Sequence, residues 1–211
     1  MKFLLQGATG RMGTVIRKLA NERRLDVVPM VRNANIAHYP AVDVLIDFSS
    51  KEGFMDAISI ALSMEIPLIS GTTAIGEDGQ RRMAIAAKQI PILWSSNFSV
   101  AFAVLRRCVS MAADALGPTF DVEIVECHHR EKRDVPSGST HLLLNSIASQ
   151  ENANAVYGRH GPEQFRGNEI GIHSLRGGGI GGRHEVLFLG KSEKLSFSHE
   201  SYDRNSYGKV A

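Results

Sequence analysis

The sequence predicts an α/β protein with two domains: an N-terminal domain on a parallel sheet, then an α+β domain on a mixed or antiparallel sheet. Three observations support this fold class. Strand-like and helix-like segments alternate over residues 1–98, and a glycine-rich turn follows the first strand-like segment. Near the end of the chain, three strand-like segments are separated by glycine turns without a helix between them. Alternation is typical of βαβ units and parallel pairing, whereas directly consecutive strands indicate antiparallel pairing.

The elements of the N-terminal domain can be assigned from apolar periodicity. Short apolar runs predict strands, and longer runs of helix-forming residues predict the helices between them. The short polar segment 33–41 leaves little room for a crossover helix between the second and third strands. In chain order the segments are a strand "KFLLQ", a helix "RMGTVIRKLANE", strands "LDVVPMV" and "DVLIDF", a helix "EGFMDAISIALSME", a strand "IPLIS", a helix "DGQRRMAIAAKQ" and a strand "PILWSS".

The pattern changes near residue 98, which predicts domains at 1–98 and 99–203. "SVAFAVLRRCVSMAADAL" predicts a helix that ends at Gly117, with an apolar face made of Val104, Cys108, Met111, Ala112 and Ala115. After the strand "FDVEIVEC" and the helix "STHLLLNSIASQ", residues 151–168 are predicted to form a loop. The segments "IGIHSLRGG", "HEVLFLG" and "KLSFSHES" then predict a strand meander.

The composition excludes some classes of partner. Of the 211 residues, 43% are hydrophobic and 22% are charged, as in ordinary globular proteins. A net charge of +2 does not indicate a nucleic-acid or membrane partner, and no apolar run is long enough to span a bilayer. The two cysteines, Cys108 and Cys127, lack a metal-ligand spacing. We therefore expect no bound metal and a reducing compartment, the cytoplasm.

A glycine-rich turn at Gly7, Gly10 and Gly13 joins the first strand to the first helix. Glycine in such a turn lets backbone N–H groups approach a pyrophosphate and lets the helix pack closely on the sheet. The spacing differs from the usual G-x-G-x-x-G, and a turn without a ligand is the alternative. The position of the turn after the first strand of an alternating half favours dinucleotide binding, so we predict a Rossmann-like domain.

The second strand ends at Val31 and Arg32, without the carboxylate that would bind a ribose 2′-hydroxyl. An arginine suits a 2′-phosphate by charge and geometry. NADPH is therefore favoured, without excluding NADH, and a solvated Arg32 is the alternative. Gly71–Thr73 and Ser95–Ser99 follow two further strands, where open α/β sheets bind their ligands, although each segment alone is also compatible with a plain turn.

The segment "EIVECHHREKRDVPSGST" concentrates two imidazoles and three cations within residues 128–133. A solvated strand edge is the ordinary interpretation of such a cluster. Here, however, Pro136 ends the extended stretch, Ser137 is a candidate N-cap, and Gly138 lies where helix N–H groups can hold an anion. Cations beside a helix N-terminus suit a small substrate with more than one carboxylate.

Several motifs occur in the order found in one enzyme family. They are "GATGRMG", "DFSS", "GTTA", "NFSV", "EIVECHHREKRDVPSGS", and "HSLRGG" followed by "HEV". By these motifs nearly the whole chain resembles the 4-hydroxy-tetrahydrodipicolinate reductase (dihydrodipicolinate reductase) family. The resemblance implies a homotetramer that uses NADPH or NADH to reduce 4-hydroxy-tetrahydrodipicolinate, a small cyclic dicarboxylate, to tetrahydrodipicolinate with loss of water. That step belongs to lysine and diaminopimelate biosynthesis.

The resemblance also implies roles for individual residues. His128 matches a proton donor or acceptor, and Lys132 matches a proton donor. The positions that match contacts to the substrate carboxylates are His129, Ser137, Gly138 and Ser139. The positions that match cofactor contacts are Gly7, Ala8, Thr9, Gly10, Arg11, Met12, Arg32, Gly71, Thr72, Thr73, Ser95, Ser96, Asn97 and Phe98. Arg176, in "HSLRGG", either helps to hold the substrate or pairs within the sheet.

The sequence departs from the family pattern at some positions. Ser139 stands where threonine is usual and keeps the hydroxyl, and Val31 stands where an acidic residue is frequent. The loop at 33–41 is shorter than in many members. Family members continue past "SYGKVA" into a final helix, and we expect residues 204–211 to return to the first domain.

Two other functions stay open at the level of sequence. A regulatory or redox-sensing protein with a Rossmann-like domain and no turnover would explain the glycine turn but not the basic segment. A dehydrogenase for a different dicarboxylate, such as an aspartate-type substrate, fits the cations but fits the motif spacing poorly.

Overall fold

The computed structural model describes residues 1–30, 38–151, 153–162, 167–203 and 205–208. The chain divides into two compact units. The first unit is Met1–Phe98 with Arg204–Ala211, and the second unit is Ser99–Asp203. Within the described ranges, none of the helices is both long and apolar enough to cross a membrane.

The first unit is built on a five-stranded parallel sheet. Its strands are β1 (Lys2–Gln6), β2 (Asp26–Pro29), β3 (Val44–Asp47), β4 (Leu68–Ser70) and β5 (Ile92–Trp94). Their order across the sheet is β2-β1-β3-β4-β5, so the chain winds outward in both directions from β1 and β3. β1 and β3 are almost entirely buried because helices cover both faces of a parallel sheet. The predicted parallel α/β fold is therefore confirmed.

Three helices cover the sheet of the first unit: α1 (Arg11–Glu22), α2 (Lys51–Met64) and α3 (Gly76–Ala86). The start of α2 is fixed by Ser50, whose hydroxyl accepts a hydrogen bond from the N–H of Gly53 at 3.2 Å. Side chains alternate along β1, so Leu4 packs in one apolar cluster, while Phe3 and Leu5 pack in another. The predicted segment 33–41 lies mostly outside the described residues.

The second unit is built on a mixed five-stranded sheet. Its strands are β6 (Asp121–His128), β7 (Asn154–Tyr157), β8 (Glu169–Arg176), β9 (Arg183–Leu189) and β10 (Lys194–Glu200). Their order is β10-β9-β6-β8-β7. β8 runs parallel to β6 and β7, whereas β9 runs antiparallel to β6 and β10. The mixed sheet agrees with the predicted α+β class.

Two details of the second sheet differ from the sequence prediction. The predicted meander is wrong for β8 and β9, because β6 lies between them and pairs with both; only β9 and β10 form a hairpin. The predicted loop at 151–168 is wrong for Asn154–Tyr157, which form the edge strand β7. Both differences arise from pairing between distant segments, which local apolar periodicity does not report.

The helices of the second unit are α4 (Val100–Leu116) and α5 (Gly138–Glu151). The apolar face predicted for α4 is wrong at Val104 and Met111, which are 58% and 60% exposed. The buried face consists of Phe102, Leu105, Val109, Ala112 and Ala113. Both stripes of α4 are apolar at helical spacing, so only packing against the sheet determines which one is covered.

A short helix, α6 (Asn205–Gly208), belongs to the first unit and lies against α1. A Cβ at Gly208 would lie 2.9 Å from Leu19 Cδ1 and 3.0 Å from Val15 Cγ1, so the two helices are in close contact there. The described end of the chain is thus part of the unit that holds the glycine turn.

Candidate functional site

The glycine turn of the first unit is tightly packed. Gly7 has φ of 80°, and a Cβ there would lie 2.3 Å from the carbonyl oxygen of Phe48. A Cβ at Gly13 would lie 2.1 Å from the carbonyl oxygen of Gly7. Gly7 therefore allows the turn to approach the end of β3, and Gly13 allows α1 to approach the turn.

The N-terminus of α1 is suited to an anion. Its cap, Gly10, makes no side-chain hydrogen bond to the helix, and the first turn has no acidic residue. By contrast, α2 has the Ser50 cap and Glu52, and α3 has Glu77 and Asp78 in its first turn. The positive end of the α1 dipole is thus not neutralised by its own first-turn side chains, and it fits the pyrophosphate of a dinucleotide.

The other cofactor residues predicted in the turn differ in their exposure to solvent. Thr9, Gly10 and Arg11 are exposed, Met12 is half-buried, and Ala8 is buried under the turn. Arg32, the residue on which the preference for NADPH depends, lies outside the described residues.

Phe48, which was not predicted as a site residue, contacts three of the predicted cofactor segments. Its carbonyl oxygen faces Gly7, and a Cβ at Gly71 would lie 2.1 Å from the Phe48 ring. The rings of Phe48 and Phe98 are 5.7 Å apart. The glycine at 71 is therefore required by the aromatic ring that packs against it, whether or not a ligand is near.

Asp47, at the end of β3, fixes the turns after β3 and β4. The carboxylate is fully buried and accepts hydrogen bonds from Ser49 Oγ, from Ser70 Oγ at 2.7 Å and from Thr72 Oγ1 at 2.7 Å. Burial raises the pKa of Asp47 despite these hydrogen bonds. The predicted contact Thr72 thus uses its hydroxyl within the protein, where it also accepts from the N–H of Ser49 at 2.9 Å.

The turn after β5 contains the last predicted cofactor residues. Ser95 Oγ donates to the carbonyl of Asn97 at 2.8 Å and accepts from its N–H at 3.2 Å. Ser95 to Asn97 are half-buried, as is Thr73 in the turn after β4. The N–H of Ser95 also donates to the carbonyl of Ser70, which connects the two turns.

In the second unit, β6 delivers two polar side chains to a buried face. Along the strand, Val122, Ile124, Glu126 and His128 are buried, and the residues between them are partly exposed. The period of two places Glu126 and His128 on the side that packs against the core of the unit. A carboxylate and an imidazole in such positions need polar partners.

Glu126 has several of these partners, and its side chain is 0% exposed. The N–H of Ser137 donates to both carboxylate oxygens, at 3.2 and 3.1 Å, and Thr140 Oγ1 donates at 2.8 Å. Arg176 Nη2 donates at 2.7 Å. Burial alone would raise the pKa of Glu126, but the hydrogen bonds from Ser137, Arg176, Ser174 and Thr140 outweigh it and lower the pKa to about 2.

Arg176 is held within the sheet. Besides Glu126, its guanidinium donates to the carbonyls of Asp134 at 2.7 Å and Leu175 at 2.8 Å. Two roles were considered for Arg176, substrate binding and pairing within the sheet. The observed hydrogen bonds are those of pairing within the sheet. The charge of Arg176 compensates that of Glu126, and its hydrogen bond to the Asp134 carbonyl connects β8 to the loop that precedes α5.

His128 lies at the end of β6 with its side chain buried. Its Nδ1 is 3.5 Å from Glu126 Oε2. Burial, reinforced by the nearby cations Lys132 and Arg176, outweighs the opposite effect of Glu126 and lowers the pKa of His128 to about 4. The imidazole is therefore neutral at pH 7, which suits a proton acceptor or a relay better than a permanent acid.

Lys132 supplies the positive charge beside this imidazole. Its Nζ is 2.8 Å from Asp134 Oδ2, and its N–H donates to the carbonyl of His129 at 3.1 Å, which closes a turn after β6. His129 is half-buried in that turn. The Lys132 side chain is 19% exposed, so the residue is anchored by Asp134 without being fully buried.

The predicted N-cap of α5 is confirmed. Ser137 Oγ accepts from the N–H of Thr140 at 3.2 Å, one turn into the helix. Ser137 is buried, and its hydroxyl also contacts His184 Nε2 at 3.2 Å. Gly138, which follows, is half-buried, and Ser139 is buried at the start of the helix.

His184 and His199 are two further buried imidazoles of this cluster, and neither was predicted as a site residue. They face each other on β9 and β10. The ring centroids of His128 and His184 are 5.0 Å apart, and those of His184 and His199 are 6.4 Å apart. Burial lowers the pKa of His184 to about 3 and also lowers that of His199.

A metal ion is a further candidate for this cluster. Glu126, His128 and His184 offer ligand atoms that lie within 4.8 Å of one another. Both oxygens of Glu126 already accept hydrogen bonds, one of them from a guanidinium. Because a cation would compete with Arg176 for the same carboxylate, the arrangement favours a hydrogen-bond network over a metal site.

The buried imidazoles predict that acid destabilises the protein. Their folded pKa values lie below the ordinary value of 6.5, so the unfolded chain binds more protons as the pH falls below 6.5. His128 and His184 should each lower the unfolding free energy by up to about 1.4 kcal/mol per pH unit between 6.5 and the folded pKa, and His199 should act in the same direction. Urea unfolding from about pH 7.5 down to about pH 5 measures this slope. His199→Phe, which removes one of these buried imidazoles, should reduce the slope.

These features define a class of protein: an oxidoreductase with a Rossmann-like unit for a nicotinamide dinucleotide and a second unit that carries an imidazole–ammonium site. The family models for the dihydrodipicolinate reductase N-terminus and C-terminus match residues 1–98 and 101–210. The chain belongs to the dihydrodipicolinate reductase family, as its motifs predicted.

Individual relatives agree with this assignment. The 4-hydroxy-tetrahydrodipicolinate reductase of Caldanaerobacter subterraneus subsp. tengcongensis is 37% identical, and the alignment covers 99% of this chain and 88% of that protein. The enzyme of the same name from Xylella fastidiosa is 35% identical, with coverage of 100% and 89%.

Solved structures agree with the fold. A dipicolinate-bound dihydrodipicolinate reductase from Paenisporosarcina sp. TG-14 has a TM-score of 0.70 at 22% identity, and the match covers 100% of this chain and 91% of that chain. A putative myo-inositol dehydrogenase from Sinorhizobium meliloti 1021 has a TM-score of 0.63 at 11% identity, with coverage of 100% and 85%. At these identities, both comparisons support the two-unit fold only.

Proposed function

We propose that the chain catalyses the NAD(P)H-dependent reduction of 4-hydroxy-tetrahydrodipicolinate to tetrahydrodipicolinate, with loss of water, in diaminopimelate and lysine biosynthesis. One observation carries the proposal beyond the family relationship. The segment from Glu126 to Thr140 folds into a single network in which a neutral imidazole, an ammonium group and a helix N-terminus lie on neighbouring elements. A ring with two carboxylates and a leaving hydroxyl needs this combination.

The chemistry requires a hydride and one proton. The C–O bond at position 4 breaks, a C–H bond forms, and the hydroxyl leaves as water. The reduced nicotinamide supplies the hydride when it is bound. Lys132 is the group that supplies the proton, because its ammonium is held beside the imidazole by Asp134 and still reaches solvent for reprotonation.

His128 acts as the neutral partner of Lys132. Its buried ring is uncharged at pH 7, so it accepts a hydrogen bond or a proton during the loss of water and returns it afterwards. The carboxylate of Glu126 stabilises the ring whenever it becomes positive, because the two groups are 3.5 Å apart.

The substrate carboxylates bind at the start of α5. His129, Gly138 and Ser139 provide donors there, and the dipole of α5 favours negative charge at that end. Ser137 contributes by fixing the helix start, since its hydroxyl is already bonded to Thr140 and His184.

The first unit binds the cofactor at Gly7–Met12 and at the turns after β4 and β5, and the second unit binds the substrate and mediates assembly into a homotetramer. NADPH is preferred to NADH because Arg32 follows β2 and the residue directly before it is Val31 and not a carboxylate. The location proposed for the enzyme is the cytoplasm, and its partners are copies of itself and the cyclic dicarboxylate.

A coupled assay tests the proposal. Dihydrodipicolinate synthase generates the unstable substrate in situ, and oxidation of NADPH or NADH is followed by absorbance, with the synthase omitted as the control. We expect turnover with both cofactors and a lower KM for NADPH, which Arg32→Ala should raise. Absence of turnover with either cofactor, combined with a dipicolinate-induced rise in Tm, would favour a non-catalytic binding protein instead.

A further inference from the structure

His184 is a buried histidine of β9 that contacts two predicted active-site residues at once. Its side chain is 1% exposed, and its Nε2 lies 3.2 Å from Ser137 Oγ. Its ring meets that of His128 edge to face, with centroids 5.0 Å apart and planes at 72°. A side chain in this place can affect both the imidazole and the start of α5.

The surroundings of His184 hold its ring in one orientation. Phe102 of α4 packs against it edge to face, at 5.4 Å between centroids. The Nε2 atom is also 4.0 Å from Glu126 Oε2. Nδ1 makes no hydrogen bond with any described residue, so Ser137 is the polar group that orients the ring.

The contact with Ser137 connects His184 to the start of α5, where the substrate carboxylates are proposed to bind. Ser137 Oγ accepts from the N–H of Thr140, and the N–H of Ser137 donates to Glu126. The first turn of α5 is therefore fixed from β6 by Glu126 and from β9 by His184. Displacement of the Ser137 hydroxyl would move Gly138 and Ser139, which follow it directly.

We propose that His184 is a positioning residue for the reduction: it holds the ring of His128 and the Ser137 hydroxyl in the geometry that the substrate requires. This inference rests on the proposed function. His184 acts through its two neighbours and does not itself touch the substrate, because its side chain is almost completely buried.

The competing explanation is that His184 only fills the core. His199 provides a matched control for that explanation. It is the cross-strand partner of His184 on β10, it is buried, and its Nε2 lies 3.2 Å from the hydroxyl of Ser99. Ser99 caps α4 as Ser137 caps α5, and Phe102 also packs against His199, at 5.5 Å. His199 thus repeats the packing and the cap, but its serine begins α4 and not α5, the helix at which the substrate carboxylates are proposed to bind.

The experiment compares His184→Phe with His199→Phe in the full chain. Phenylalanine keeps a flat ring and removes the hydrogen bond to the serine. We expect both variants to lose similar stability in Tm, but only His184→Phe to lose about 10- to 100-fold in kcat/KM for the substrate. Its affinity for dipicolinate should fall as well, and its KM for NADPH should stay at the parental value, because the first unit is unchanged.

A second variant, His184→Gln, restores a polar group near the Nε2 position and should recover part of kcat. It also takes the place of His184→Phe if that variant does not fold. Equal losses of kcat/KM in the His184 and His199 variants would overturn the inference, as would a parental kcat/KM in both His184 variants. Failure of the proposed function is recognised separately, because the parental chain itself would then show no turnover in the coupled assay.

Discussion

Lys132→Ala should lower kcat by about 10²- to 10⁴-fold, the range associated with loss of a positioned acid. The ammonium group is held 2.8 Å from Asp134 beside the buried imidazole of His128, whereas Arg176, another cation that acts on this imidazole, is bonded to Glu126. Its removal should cost little stability, because a partly exposed ion pair contributes only about 0–1 kcal/mol. The coupled assay and urea unfolding measure the two effects on the same preparation.

Arg133→Ala is the matched control for Lys132→Ala. It removes one positive charge from the next residue, which is exposed. A general electrostatic attraction of the dianionic substrate would make the two variants similar, mainly in KM. A near-parental kcat in Lys132→Ala, or an equal loss in Arg133→Ala, would contradict the assignment of Lys132 as the proton donor.

Glu126→Ala should be among the most destabilising single substitutions in the second unit, at about 3–5 kcal/mol. The change leaves the guanidinium of Arg176 without its carboxylate, and the N–H of Ser137 and the hydroxyl of Thr140 lose their acceptor. Glu126→Gln keeps the shape but not the charge, so we expect a smaller loss. Urea unfolding at pH 7, where the carboxylate is ionised, measures both variants.

The control for Glu126 is another ion pair of the same sheet. Glu185 of β9 pairs with Arg183 at 3.0 Å, and the two side chains are 26% and 51% exposed. Glu185→Ala should cost about 0–1 kcal/mol, because solvent screens the pair and can hydrate the arginine that remains. If Glu126→Ala costs no more than Glu185→Ala, the network around Glu126 does not stabilise the unit in the way that its burial indicates.

Much of the fold could be predicted because its signals are local. The strand–helix alternation before residue 98 identified the parallel sheet, and Ser137 before a run of helix formers identified the start of α5. The errors concern choices between distant partners. β6 was not expected to separate β8 from β9, and α4 was assigned the wrong one of two apolar stripes, because neither choice is made within a short window of sequence.

In the site, too, residues with local signals were predicted and residues that depend on distant partners were not. His128, Lys132 and Ser137 were found because they are clustered in one segment. His184 and Asp47 were missed because each is a polar residue at the start or end of an apolar strand, and their partners come from elsewhere in the chain. Glu126 carried a signal that could have been used. In "DVEIVECH" it occupies an inward position of the strand alternation, between Ile124 and His128, where a carboxylate requires partners.

The central place of β6 has a consequence for how the protein acquires its structure. During synthesis β6 emerges well before β8 and β9, the two strands that flank it. Its edges stay unpaired over that interval, and closing such long loops is entropically slow. The second unit should therefore mature after the alternating part of the first, and β6 with its unpaired edges is the segment of the nascent polypeptide most open to non-native pairing.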